Sequence, residues 1–207
     1  MKILQVVPMM NVGGVETGTV DLARELIGRG HKAVVVSGGG RLGKELSAMD
    51  AKHIKLPVHK KSLSGIIRMV GKLDYIIREE NVDIVHARSR VPAIIAFFAC
   101  RRSGTPFITT AHGYYSTHPL SRVMGWGRFV IVASTAIGRH MMNNFGVPGE
   151  RIRFIPRGVN IKDFPFNPTN PSRRKNEYKI GVIGRITPIK GHSYFLQSIA
   201  RVVRIFP

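Results

Sequence analysis

Two cations flank a turn near the end of the chain, in a pattern that suits a diphosphate ligand. Arg185 and Lys190 stand five residues apart, between a short apolar run at 180–183 and a stretch with helical spacing of apolar residues. The pattern predicts a buried strand, a turn and a helix. Unpaired N–H groups at a helix N-terminus and two cations can together bind a diphosphate. An ordinary strand, turn and helix with solvated cations fits the same residues.

A second strand, turn and helix opens the chain. The apolar run at 3–7 predicts a central parallel strand, and Gly13 and Gly14 follow it. Adjacent glycines let the backbone approach a ligand closely, so both are candidate diphosphate-binding residues. Glu16 fits either an acceptor contact or a first-turn acid favoured by the helix dipole. The Gly-x-Gly-x-x-Gly dinucleotide fingerprint is absent.

Two histidines end apolar runs that we interpret as strands. His112 follows the run at 107–110 and precedes Gly113. A position at the carboxyl end of a parallel strand faces the ligand crevice of an open α/β sheet. A hydrogen-bonded histidine with no ligand is the alternative. His86 follows the run at 82–85, and we interpret it as structural.

Strand and helix patterns alternate along the chain, which indicates an α/β fold with a doubly wound parallel sheet. We predict a first domain at 1–160, a linker at 161–176 rich in proline and asparagine, and the start of a second domain at 177–207. The predicted strands are 2–7, 32–37, 52–56, 82–86, 106–111, 128–133, 151–156 and 178–184. The predicted helices are 16–28, 42–49, 62–80, 91–103, 134–145 and 190–205.

These motifs together resemble the retaining "group 1" glycosyltransferases, which have the GT-B fold of two Rossmann-like domains and use nucleotide sugars. The resemblance covers nearly the whole chain. It rests on four segments in matching order: Gly13-Gly14-Val15-Glu16, Thr110-Ala111-His112-Gly113, Ile155-Pro156-Arg157-Gly158-Val159, and the run from Gly184 to His192. By resemblance, the first domain lies on the acceptor side and the second binds the nucleotide sugar.

The resemblance implies transfer of a sugar from a nucleotide-diphosphate sugar to a lipid-linked or cell-envelope glycan, as in lipopolysaccharide biosynthesis. It implies retention of anomeric configuration, with no metal and no cofactor beyond the donor substrate. His112 would contact the transferred sugar. Arg185 and Lys190 would act with it as catalytic residues by neutralising the departing diphosphate.

Two features depart from the family pattern. Most members have Asn-Gly-Val-Asp where this chain has Arg157-Gly158-Val159-Asn160. Arg157 either adds a phosphate contact or is simply solvated. The family's pair of glutamates, separated by seven residues, is missing, and only one strand and one helix of the second domain are predicted. We therefore expect a fragment of a longer protein, inactive by itself.

Charge and composition limit the classes of binding partner that the chain is expected to have. Thirty-two Lys and Arg against twelve Asp and Glu give a net charge of +20, which favours polyanions. Nucleic acid is disfavoured because no zinc finger, RNP motif or helix-turn-helix is recognisable. No apolar run reaches 18 residues, and the lone Cys100 cannot form an internal disulfide. We expect a cytoplasmic protein on the inner face of the cytoplasmic membrane.

Two stretches are candidates for contact with an anionic membrane surface. Residues 60–78 place apolar residues at helical spacing beside lysines and arginines, which also fits a core-facing helix with a solvated face. Residues 114–128 contain Tyr114, Tyr115 and Trp126 among arginines. We predict the second stretch as the acceptor or membrane contact.

Two other functions remain open. A nucleotide-sugar epimerase of the same fold would need no lipid acceptor. A non-catalytic, basic nucleic-acid-binding module would bind duplex or single strands with steep salt dependence. The glycine-rich run at 38–44 resembles a P-loop, but Glu45 replaces the Ser or Thr that binds magnesium. An ATPase is therefore not expected.

Overall fold

A parallel sheet of seven strands forms the centre of the first part of the chain. The computed structural model describes residues 1–161, 164–166 and 178–206. Within them the strand order is β3-β2-β1-β4-β5-β6-β7, and all neighbours are parallel. The predicted α/β class is confirmed. The strands are β1 (Lys2–Val6), β2 (Lys32–Ser37), β3 (Lys52–Lys55), β4 (Ile84–Ala87), β5 (Phe107–Ala111), β6 (Val130–Val132) and β7 (Ile152–Phe154).

Helices provide the crossovers that parallel strands require. They are α1 (Gly14–Gly28), α2 (Gly43–Ala48), α3 (Leu63–Glu79), α4 (Arg90–Ser103), α5 (Thr135–Phe145) and α6 (His192–Ile205). Ser62 and Ser134 cap α3 and α5 by accepting hydrogen bonds from backbone N–H groups three residues on. A 3-10 helix at Pro119–Gly125 lies within the stretch at 114–128 that we predicted as the acceptor or membrane contact.

Both faces of the sheet are covered, which explains its continuous apolar strands. On β2, Val34 and Val36 point into one cluster, together with apolar residues of α3, α4 and α5. Ala33 and Val35 point into the other cluster, together with residues of α1 and α2. Cys100 is buried in the first cluster, and burial raises the pKa of its thiol to about 12.

The strand order reverses direction at β1. The chain leaves β1 for β2 and β3 on one side, then crosses back to pair β4 with the other side of β1. At such a switch point the loops after the two strands diverge, so a crevice opens outside the carboxyl ends of the strands. The fold thus places the segments that follow β1, β4 and β5 around one crevice.

The chain divides into two compact units, Met1–Gly158 and Val159–Pro207. In the second unit, the predicted helix is present as α6. The predicted strand at 178–184 is not formed: its backbone is irregular, and no strand of the described residues pairs with it. A strand without a ladder leaves its N–H and C=O groups unpaired, which removes the reason to be extended. Most of the predicted linker lies outside the described residues.

Candidate functional site

The crevice at the switch point gathers four segments of the first unit. Gly13 and Gly14 follow β1, Arg88 follows β4, His112 follows β5, and Arg157 lies three residues after β7. Hydrogen bonds link Arg88 to His112 and Arg157 to Thr17 of α1. The structure therefore brings together three sequence-predicted site residues, the arginine that departs from the family pattern, and one residue that sequence reasoning missed.

Helix α1 begins at the crevice with an open N-terminus. Gly13 is its N-cap residue and supplies no side chain to cap the first N–H groups. At Gly14, a Cβ would lie 2.6 Å from Nη1 of Arg157, so a larger residue there would make the guanidinium shift from its place. Glu16 folds back over the same turn, because its Oε2 lies 2.5 Å from the position of a Cβ at Gly13. Its part in acceptor contact remains a prediction.

Arg88 is the residue that the sequence analysis missed. Its Nη1 donates to the carbonyl oxygen of Gly18 at 2.8 Å and to Oε1 of Gln5 at 3.2 Å. Gln5 is fully buried in β1 and also donates to the carbonyl oxygen of Thr19. Its own position is therefore fixed, and its amide oxygen in turn holds the guanidinium of Arg88 in place. Burial, and then the charge of Arg157, lower the pKa of Arg88 to about 10, which still leaves it positive at neutral pH.

His112 is neutral in this setting. Burial is the main cause, and the positive charges of Arg88 and Arg157 add to it, so the pKa of His112 falls to about 4. Nε2 accepts a hydrogen bond of 3.4 Å from Nε of Arg88, which puts the ring proton on Nδ1. The ring can therefore donate one hydrogen bond to a ligand, but it cannot act as a cation at neutral pH.

Arg157 lies over the first turns of α1. Its Nη2 donates to Oγ1 of Thr17 at 2.9 Å. Nη2 atoms of Arg88 and Arg157 lie 3.1 Å and 3.7 Å from the position that a Cβ would take at Gly18. Among the described residues, neither guanidinium has a carboxylate within 4 Å. Glu16 and Asp21 act on Arg88 only at longer range.

The arrangement is a positively charged crevice beside an uncapped helix N-terminus, which suits an anionic ligand. The model of the family described as Glycosyltransferase Family 4 matches residues 12–163, which include all of these residues. The chain belongs to glycosyltransferase family 4. The group 1 resemblance inferred from the motifs is confirmed at this level.

Two curated relatives of this family 4 chain have inositol in their names. The chain is 25% identical over 214 residues to one subunit of the human phosphatidylinositol N-acetylglucosaminyltransferase, covering 95% of this chain and 44% of that protein. It is also 25% identical over 146 residues to a D-inositol 3-phosphate glycosyltransferase of Segniliparus rotundus, covering 60% of this chain and 32% of that protein. The chain thus spans less than half the length of either relative.

Solved structures show the same architecture. A glycosyltransferase from Rickettsia africae is 35% identical, with a TM-score of 0.72 over 81% of this chain and 46% of that chain. Anabaena HepE in complex with UDP and glucose is 19% identical, with a TM-score of 0.68 over 81% of this chain and 47% of that chain. The lipopolysaccharide outer core galactosyltransferase WaaB is 16% identical, with a TM-score of 0.62 over 84% of this chain and 50% of that chain. The two more distant matches support the fold alone.

The three aromatic residues of the predicted contact stretch at 114–128 do not lie on one surface of the family 4 chain. Tyr114 is exposed and packs edge-on against His140. Tyr115 is partly buried against the core, and its hydroxyl oxygen accepts a hydrogen bond of 3.4 Å from the backbone N–H of His112. Tyr115 thus supports the His112 loop from within, and its part in an acceptor or membrane contact remains a prediction.

Trp126 lies at the amino ends of the strands, whereas the crevice lies outside their carboxyl ends. It precedes β6, and Arg128 just after it donates to the carbonyl oxygen of Phe107 at the start of β5. Trp126 packs at a tilt against Phe97, with ring centroids 4.7 Å apart, and lines an open groove of about 510 Å³ with Phe98, Arg101 and Arg151. It is therefore not part of the site that contains His112.

In the second unit, Arg185 and Lys190 flank one turn. The side chain of Lys190 packs against Gly184: a Cβ added at Gly184 would lie 3.7 Å from Cδ of Lys190. The carbonyl oxygen of Arg185 is 2.8 Å from Nε2 of His192, the first residue of α6. Gly191, with φ of 68°, joins the 3-10 turn at Pro188–Lys190 to α6. Both cations are exposed, and their role in the diphosphate site remains a prediction.

His86 occupies the interior of the first unit. It is buried, its Nε2 lies 2.6 Å from Oγ1 of Thr110, and burial lowers its pKa to about 3.

No cluster of three or more His, Cys, Asp or Glu side chains that could hold a metal occurs in the part of the chain that the structure describes. Nor does that part contain a helix that is both long and apolar enough to traverse a bilayer.

Proposed function

We propose that the protein containing this chain transfers a sugar from a nucleotide-diphosphate sugar to an acceptor hydroxyl, with retention of anomeric configuration. The crevice at the switch point carries the proposal, because it combines two guanidinium groups with a neutral histidine. Membership of glycosyltransferase family 4 and the four motifs of the chain support it. Family 4 membership also favours transfer over the epimerase alternative.

Departure of the nucleoside diphosphate is the step that most needs charge stabilisation. The bond between the anomeric carbon and the phosphate oxygen breaks, and the oxygen retains the electron pair. In the second unit, Arg185 and Lys190 are proposed to neutralise the developing negative charge. In the first unit, backbone N–H groups at Gly13 and Gly14 are proposed to bind donor phosphate. We propose that these groups supply the needed positive charge without a metal.

His112 is proposed to position the sugar. Because Nε2 is held by Arg88, the Nδ1–H is the group that can donate to a hydroxyl oxygen of the transferred sugar. A neutral ring holds the sugar without competing with the diphosphate for the cations. The acceptor hydroxyl would then attack on the face that the leaving group vacates and give its proton to the departing diphosphate oxygen, so that no protein nucleophile is needed for retention.

The proposed acceptor is a lipid-linked or cell-envelope glycan at the inner face of the cytoplasmic membrane, as in lipopolysaccharide biosynthesis. The outer face of α3 supports this proposal: Leu63, Ile67 and Tyr75 lie along one line of the helix and are 76%, 65% and 65% exposed. Exposed Lys60, Lys61, Arg68 and Lys72 lie beside them, and residues 60–73 contain no acid. Such a basic apolar face suits an anionic bilayer surface.

The experiment that tests the function is product analysis with the intact protein. Nucleotide sugars are supplied with a membrane lipid extract, and nucleoside diphosphate release is followed with and without the extract. The proposal expects release that depends on the extract, with a lipid-linked product whose anomeric configuration matches the donor. Interconversion of the donor sugar in the absence of any acceptor would instead identify an epimerase.

A further inference from the structure

Two guanidinium groups of the first unit converge, and no carboxylate of the described residues lies within 4 Å of either. The partners of Arg88 among the described residues are neutral: the carbonyl oxygen of Gly18, the amide oxygen of Gln5, the hydroxyl of Thr19 and the neutral ring of His112. Arg157 is held by the hydroxyl of Thr17. Arg24, Arg29 and Arg78 of the same unit each pair with an acid, whereas Arg151 and Arg153 donate to backbone carbonyl oxygens.

The geometry leaves part of each guanidinium available. The hydrogen bonds of Arg88 use Nε and Nη1, and that of Arg157 uses Nη2. Nη2 of Arg88 and the guanidinium of Arg157 face the same space above Gly14 and Gly18, where side chains longer than hydrogen would intrude. Two guanidinium groups around one small space match the several oxygens of a phosphate, which accept paired N–H donors.

Holding two like charges together costs free energy, which an anion between them would recover. The mutual effect is visible in the lowered pKa of Arg88, to which burial and Arg157 both contribute. Glu16 and Asp21 favour the charged form of Arg88 at longer range, but among the described residues no acid contacts either guanidinium, so the described contacts give no reason for Arg157 to lie there. A ligand phosphate gives such a reason.

We propose that Arg88 and Arg157 form a phosphate subsite in the first unit that recognises a phosphate group on the sugar acceptor. The assignment to the acceptor rests on the proposed transfer function, whereas the phosphate subsite itself does not. Both curated relatives described above have a phosphorylated inositol in their names. Arg157 stands where most family members have asparagine, so the subsite sets this chain apart from members with that residue.

The test measures binding of inorganic phosphate to the chain by calorimetry, in the unaltered protein and in Arg157→Asn. Arg157 is exposed, and its hydrogen bond within the described part of the chain is to the hydroxyl of Thr17, so its replacement leaves the core intact. We expect Arg157→Asn to weaken phosphate binding at least ~10-fold, as for loss of a charge-assisted contact. Arg153→Asn is the matched control, because it removes the same charge from an arginine that stacks on Phe129.

A second variant tests geometry without changing charge. In Gly14→Ala, the new methyl group would lie 2.6 Å from Nη1 of Arg157 and would displace its guanidinium. We expect weaker phosphate binding in this variant too. Equal affinities in Arg157→Asn, Gly14→Ala and Arg153→Asn would overturn the subsite.

Two further ligands distinguish the source of the phosphate. Inositol 3-phosphate should bind through Arg157 and inositol should not, and UDP or GDP should leave the bound inositol 3-phosphate in place. Displacement by either nucleotide, with the same sensitivity to Arg157→Asn, would assign the subsite to the donor and overturn the acceptor assignment. Phosphate binding through Arg157 in a protein that transfers no sugar would refute the proposed function and leave the subsite standing.

Discussion

Arg185 and Lys190 are the residues on which the proposed leaving-group chemistry depends most directly. We expect Arg185→Ala and Lys190→Ala each to lower turnover of the intact protein at least ~10²-fold, since each removes a positive charge that the departing diphosphate needs. Steady-state assays of nucleoside diphosphate release check this. Arg201→Ala, an exposed change on α6, is the control and should leave turnover near its original value. Full activity in both single variants would remove the diphosphate assignment.

The low pKa values of two histidines predict acid sensitivity of the fold. His86 and His112 have folded pKa values of about 3 and about 4, against 6.5 when unfolded. Between about pH 4 and 6.5 the unfolded chain binds more protons, so the free energy of unfolding falls as the pH is lowered through this window. Each histidine contributes a slope of up to ~1.4 kcal/mol per pH unit there.

Urea denaturation at pH 7.5 and pH 5 measures that slope. We expect a clear loss of stability at pH 5 that is smaller in His86→Gln, because glutamine does not titrate. His31→Gln changes an unburied histidine and is the matched control. The same pH dependence in all three proteins would show that His86 does not cause it.

The residues of the crevice show where sequence reasoning succeeds. Gly13, Gly14 and His112 were found because each follows an apolar run, and a parallel sheet gathers its strand ends at one edge. Arg88 follows β4 in the same way and could have been found by the same rule. Its partners could not, since Gln5 and Gly18 lie 83 and 70 residues away and only the folded sheet joins them.

At the scale of elements, the outer face of α3 predicts how the protein meets a membrane. Anionic vesicles should bind the chain, and Leu63→Ser with Ile67→Ser should reduce the part of the binding that survives high salt. Lys72→Glu should weaken the salt-sensitive part more than Lys44→Glu, which makes the same charge change on α2. Flotation with neutral and anionic vesicles measures both parts.

A different outcome would move the membrane contact elsewhere. If Leu63→Ser with Ile67→Ser binds vesicles like the unaltered protein while Tyr114→Ser and Trp126→Ser lose binding, the exposed residues of 114–128 are the contact after all. Equal binding to neutral and anionic vesicles would exclude charge as the driving force.

Element boundaries followed from the sequence wherever tertiary packing agreed with local pattern. The helices at 62–80 and 134–145 were predicted to within one residue at each end, because serine caps and apolar periodicity coincide there. Within 114–127 no helix or strand was predicted, because the aromatic residues there suggested a surface contact. Val123 and Met124 are in fact buried, and the 3-10 helix that contains them packs beside α4.

At the scale of the whole molecule, the two units differ in how much they bury. The first contains the buried clusters, whereas no described side chain of α6 is buried. We expect the amides of α6 to exchange with deuterium at least ~100-fold faster than those of α3, because burial rather than helix propensity protects a short helix. Hydrogen exchange with residue resolution measures this. Equal protection of α3 and α6 would contradict it.

The place of β1 inside the sheet, between β2 and β4, has a consequence for synthesis. Its first pairing, with β2, joins positions about 30 residues apart, whereas its second, with β4, joins positions about 80 apart. The cluster under α1 and α2 draws only on residues 7–51, so it can assemble while later residues are still being translated. Leu4, Val6, Val34 and Val36 must wait for α3 and α4 to cover them. Until then the nascent chain carries a half-covered sheet, and the edge of β1 that later pairs with β4 is open. The rate at which the ribosome delivers residues 63–103 sets how long that edge stays available to neighbouring chains.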